Sequence, residues 1–98
     1  MVLEIAMIEV KPGSEAAFED SLAQAQSVIS RAKGYLGHEF HHCLERQNGY
    51  VLLIRWASLE AHTEGFRQSP LFQEWRALIG PHFAQPPVVE HYEVIGKR

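Results

Sequence analysis

Six histidines in 98 residues are the feature of this chain that most directly suggests chemistry. Imidazole is the side chain whose ordinary pKa lies nearest neutrality, so each is a candidate proton donor or acceptor. His62 stands out among them. At helical spacing it shares a face with Leu59 and Phe66, so it points toward a core rather than cleanly to solvent. A base in apolar surroundings has its pKa lowered and stays neutral, as a proton acceptor must. The competing reading is a core histidine satisfied by a backbone carbonyl. Trp56, at the end of an apolar run, is a candidate wall or hydrogen-bond donor for the same place.

His38, His41 and His42 raise the question of a metal. Along a strand, His38 and His42 share a face but lie about 13 Å apart, too far to chelate one ion. His41 faces the other way, so no native metal site is expected. His38, Phe40 and His42 then line one sheet face, as candidate pocket residues. Arg76 follows Phe72 by one helical turn. It would steady an anion if it faced a cavity, and is a solvated helix residue if it does not. Trp75 sits in a core-like stripe with Leu71, Leu78 and Ile79. The segment from Gly80 to Pro87 reads as a lid, with His82, Phe83, His91 and Tyr92 closing a pocket mouth.

Composition narrows the classes of function. The net charge is −3 and the nine Lys and Arg are scattered, which leaves no basic footprint for nucleic acid or anionic lipid. No apolar run approaches the ~20 residues of a membrane span, and the N-terminus carries no signal-peptide pattern. One cysteine, Cys43, excludes a disulfide framework. A single free thiol fits a reducing compartment, so a cytoplasmic location is expected.

These residues need elements to hold them, and the chain reads as one domain over residues 1–98. Val2 to Val10 alternates as a strand, with Leu3, Ile5 and Met7 on one face and Glu4, Ala6, Ile8 and Val10 on the other. Lys11-Pro12-Gly13 is a turn, and Ser14 caps a helix carrying Phe18, Leu22, Ala25 and Ile29, closed by Gly34. Tyr35 to Arg46 and Tyr50 to Ala57 are strands joined by a Gln47-Asn48-Gly49 turn. Ser58 caps a helix through Phe66, and Ser69-Pro70 starts a second piece that ends at Gly80-Pro81. Val88 to Ile95 is a last strand.

The order β-α-β-β-α-β is the split βαβ arrangement of ferredoxin-like α+β folds. Its helices cover one face of an antiparallel sheet. The first and third strands are apolar on both faces, whereas an open face should be polar. A second copy packed sheet against sheet resolves this, so a homodimer through the sheet faces is expected.

The stretch from Trp56-Ala57-Ser58-Leu59-Glu60-Ala61-His62 to Phe66-Arg67-Gln68-Ser69-Pro70 resembles the antibiotic biosynthesis monooxygenase family, whose members are dimeric α+β barrels. The Lys-Pro-Gly turn, Gly34-Tyr35-Leu36-Gly37 and the closing Val89-Glu90-His91-Tyr92 extend the resemblance over nearly the whole chain. It implies a pocket between sheet and helices and a cofactor-independent oxygenation of a small phenolic or quinol-like aromatic by O₂. Best-described members place a His, an Asn, a Trp, a Tyr and an Arg around the substrate. The matching positions here are His42, Leu52, Trp56, His62 and Arg76. Leu52 cannot hydrogen-bond, so the resemblance covers the Asn position by place alone. A haem-degrading branch is similar too, but this chain has Ile5 or Ala6 near its Asn position and Phe66 at its Trp position. The resemblance thus casts His62 as acid–base group, with Trp56, Arg76 and His42 beside it. His38, Phe40, Phe66, Phe72, Trp75, His82, Phe83 and His91 become candidate substrate contacts. A non-catalytic small-molecule binder and a cofactor-free isomerase are the alternative functions.

Overall fold

The computed structural model describes residues 1–98. Strand β1 (Val2–Glu9) leads through the Lys11–Ser14 turn into helix α1 (Glu15–Ile29). Strands β2 (Tyr35–His42) and β3 (Gly49–Trp56) form a hairpin. A π-helical turn (Ala61–Phe66) precedes helix α2 (Pro70–Ile79), and a 3₁₀ turn (Gly80–His82) leads toward strand β4 (Val88–Tyr92). The strands stand in the order β2-β3-β1-β4 and every neighbouring pair is antiparallel. This is the ferredoxin-like α+β arrangement that the element order predicts.

Alternation sorts the strands into two faces. Ala6 and Ile8 on β1, with Tyr50, Leu52, Ile54 and Trp56 on β3, are buried under the helices. From α1 come Phe18, Leu22, Ala25, Val28 and Ile29, and from α2 come Trp75 and Ile79. Burial of such side chains contributes roughly 1.5–3 kcal/mol each before entropy is counted. Leu3, Ile5, Met7, Val51 and Leu53 point to the other face, which no element of the chain covers.

Several boundaries differ from the sequence reading. Helix α1 ends at Ile29, and Gly34 instead turns the chain into β2 with φ +87°. Strand β2 stops at His42, because Cys43–Asn48 is taken up by the hairpin connection. Strand β4 stops at Tyr92, leaving Val94 and Ile95 exposed. Ser58 does cap the next element: its Oγ accepts a hydrogen bond from Ala61 N at 3.1 Å.

Candidate active site

The turn that carries His62 is wound as a π-helix. Arg67 N donates to the His62 carbonyl at 3.0 Å, an i to i+5 bond. Such turns are rare in proteins and concentrate at functional sites. Here the wider winding brings both His62 and Phe66 under the sheet, while Leu59, the third member of the expected face, stays 42% exposed.

His62 is 3% exposed and meets a carboxylate that is 6% exposed, Glu4. His62 Nε2 lies 3.3 Å from Glu4 Oε1. The Trp56 indole N–H donates to the same oxygen at 2.9 Å, and the Trp56 ring stacks on the imidazole with centroids 5.1 Å apart. On its other side, His62 Nδ1 shares a hydrogen bond of 2.7 Å with His91 Nε2. Glu4 and His91 are register partners across β1 and β4, so the sheet itself sets their spacing.

Burial favours the neutral form of each group in this cluster. Burial pushes the Glu4 carboxyl up to about 7, partly opposed by the Trp56 hydrogen bond and the Arg67 charge. Burial, then the Arg67 and His91 charges, push His62 down to about 3. His91 is lowered as well, by burial and by Arg67. A carboxyl near neutrality beside two neutral imidazoles is an arrangement suited to accepting and passing protons.

A cavity of about 90 Å³ lies between sheet and helices beside this cluster. Glu4, His62 and Arg67 supply its polar groups, and Leu52, Phe66, Phe72 and Trp75 are among its apolar walls. A cavity of about 150 Å³ is what holds benzene. The space is where the sequence reading put a pocket, but it does not hold an aromatic ring without moving a wall. An outer pocket of about 310 Å³ lies on the far side of His91, lined also by Val2, Leu59, Tyr92 and Glu93.

The other sequence candidates separate from this centre. His42 stacks flat on Tyr50 at 4.3 Å and contacts the Gln47 carbonyl at 2.5 Å, at the hairpin end of the sheet. With Phe40, Tyr50 and Glu19 it lines a separate groove of about 210 Å³ beside α1. His38 bonds Tyr35 and Gln26 and stacks on Phe40. Arg76 is exposed on α2, with its guanidinium 5.9 Å from the Phe72 ring, outside the cavity. His82 bonds Ser21, and Phe83 bridges Val10, so the expected lid is fastened to α1 and the end of β1, away from His62. His91 does reach His62, while Tyr92 faces outward. No three His, Cys, Asp or Glu side chains come together as a metal-binding set.

Glu4 is the residue that the sequence reading passed over as a functional group. Its signal was present: it is the one carboxylate on the apolar face of β1, in line with Ala6 and Ile8. Arg67 was missed as well, and nothing in its spacing marks it.

The sequence profile of the antibiotic biosynthesis monooxygenase family matches residues 1–78. The chain belongs to that family. A Bordetella bronchiseptica protein of known structure that carries the family's name is 44% identical, covers 96% of each chain and superposes with a TM-score of 0.93. An uncharacterised Bacillus subtilis protein, YczJ, is 46% identical over 93 residues, which is 95% of this chain and 98% of its own. SnoaB of Streptomyces nogalater, described as a cofactor-independent oxygenase, shares the fold with a TM-score of 0.83 at 18% identity, over 98% of this chain and 94% of its own. Family membership points to a monooxygenase-type role. No helix is long and apolar enough to cross a membrane.

Proposed function

We propose that this chain is a cofactor-independent monooxygenase for a small aromatic, phenolic or quinol-like compound with an acidic proton. The observation that carries the reading is the Glu4–His62–His91 cluster, with Glu4 and His62 buried, beside a largely apolar cavity. Removal of the proton leaves a substrate anion, which passes one electron to O₂. The radical and superoxide combine to a peroxide, which loses water. In sum R₂CH₂ + O₂ gives R₂C=O + H₂O, so the substrate supplies the electrons and no external reductant enters. Low polarity beside the cluster strengthens each hydrogen bond to the developing charge.

The reading extends to a homodimer through the open sheet face and to the cytoplasm, on the apolar face and the lone thiol respectively. The activity test is oxygen uptake by the pure protein with anthrones, quinols and phenols, beside His62→Ala. Uptake with at least one class, lowered about 100-fold by the substitution, is the expected result for loss of an acid–base group. No uptake with any class, together with ligand-induced thermal stabilisation, would replace the enzyme by a binding protein.

A further inference from the structure

We propose that Glu4 is the final proton acceptor of this site, that His62 and His91 form a two-imidazole relay to it, and that the substrate meets the relay at His91 from the outer pocket. The inference rests on the reading above that the substrate is deprotonated, and it moves the point of contact from the inner cavity to the outer one.

The geometry is a single line of polar atoms. It runs from Glu4 Oε1 to His62 Nε2 at 3.3 Å, across the ring to Nδ1, and on to His91 Nε2 at 2.7 Å. The far ring nitrogen of His91 then ends the line, and His91 borders the 310 Å³ space. That space is an open recess at the surface, wide enough for a small ring to reach His91, whereas the inner cavity is closed to one. His62 has both ring nitrogens engaged and is 3% exposed, so it has no nitrogen left for a substrate. Its chemistry must pass through a neighbour. Val2, Leu59 and Tyr92 give the outer pocket apolar walls suited to an aromatic ring.

The proton count closes without any charged imidazole. At the start Glu4 is a carboxylate, His62 holds its proton on Nε2, and His91 holds its proton on Nε2, donating to His62 Nδ1. The substrate gives its proton to His91 Nδ1. The His91 Nε2 proton moves to His62 Nδ1, and the His62 Nε2 proton moves to Glu4 Oε1. At the end the substrate is the anion, Glu4 is a neutral acid, and both imidazoles have exchanged tautomers. Trp56 positions Glu4 by donating to the same oxygen throughout. The charged and titratable groups around the relay are Glu4 on β1, His91 on β4, Arg67 after the π-turn and Glu93 at the outer pocket.

The test reads the tautomers directly, by ¹⁵N NMR of histidine-labelled protein between pH 5.5 and about 8.5, spanning the Glu4 transition near 7. The expected result is that His62 and His91 both change tautomer together, neither becoming imidazolium, and that Glu4→Gln freezes both. An ordinary imidazole titration of His91, or tautomers that do not move, would overturn the relay whatever the protein does with oxygen. In oxygen uptake, Glu4→Gln and His91→Gln are each expected to lower kcat about 100-fold. Uptake by the wild type that both variants retain within a few-fold would overturn the relay and leave the oxygenase reading standing. A tautomer exchange without wild-type uptake would do the reverse. His91 lies at the sheet edge, so His91→Gln keeps the test available should Glu4→Gln not fold.

Discussion

Glu4 and His62 pull the pH dependence of stability in opposite directions. The Glu4 carboxyl is raised from 4.5 to about 7, so the stability it contributes is present in acid and is lost as pH rises through 7. His62 is lowered from 6.5 to about 3, so its share is present above 6.5 and is lost as pH falls toward 3. Between about 4.5 and 6.5 the two slopes cancel. The expected profile is a plateau in thermal midpoint over that window with a fall on each side, measured by calorimetry across pH. Glu4→Gln should remove the Glu4 slope over its whole window from 4.5 to about 7, so the plateau becomes a rise up to pH 6.5 and the variant is more stable than the wild type at pH 8 by about 3 kcal/mol at most. Trp56→Phe should act differently. It keeps the ring stacked over His62 but deletes the donor to Glu4, which lowers stability by about 1–3 kcal/mol and raises the carboxyl further. Chemical denaturation at pH 6 and a carboxyl titration by NMR check the two effects separately. The histidine spacing marked His62 because an apolar helical face is visible in one dimension. It could not mark Glu4 as its partner, since residues 4 and 62 meet only when β1, β3 and the π-turn are assembled.

Among the elements, the π-turn is held by the connection that opens β2. Gly34 has φ +87°, and a Cβ there would lie 2.7 Å from the Cβ of Ala61, the residue before His62. Ala57 N also donates to the Gly34 carbonyl at 2.7 Å. Backbone and backbone therefore approach closely at the place where His62 enters the core. Gly34→Ala combines a strained left-handed conformation with a clash, and is expected to destabilise the fold by about 2 kcal/mol or more. It should also lower oxygen uptake, because relief of the clash moves Ala61 and with it His62. Urea unfolding and uptake on the same sample test the pair of effects. An unchanged urea midpoint would show that the turn yields easily. The sequence signalled a glycine at this junction and a capped element after Ser58. It gave no sign of π winding, because an extra residue per turn follows from what the side chains pack against and not from their local preferences.

At the scale of the whole molecule, the fold is a slab measuring 35 × 34 × 20 Å. That thickness accommodates one sheet and one layer of helices. The open face of the sheet carries Leu3, Ile5, Met7, Val51 and Leu53, with Val88 52% exposed at its edge. A second copy covering this face is the expectation carried by the proposed homodimer. Ile5 and Leu53 are register partners at its centre, so Ile5→Lys would place two like charges in a dry interface. The wild type is expected to sediment as a dimer at micromolar concentration and Ile5→Lys as a monomer. A monomeric wild type would refute the dimer.

The order of elements, the sorting of strand residues onto two faces and the capped start at Ser58 were all determined by the sequence itself. Each follows from local periodicity and turn chemistry, which a chain displays without folding. Which candidates share a site was decided by tertiary structure alone. His42 and His82 carry the same imidazole as His91, yet strand register and helix packing carry them to other places. Glu4 became a proton acceptor for the same reason. Its pKa and its partners are properties of a buried environment that exists only once distant segments exclude water around it.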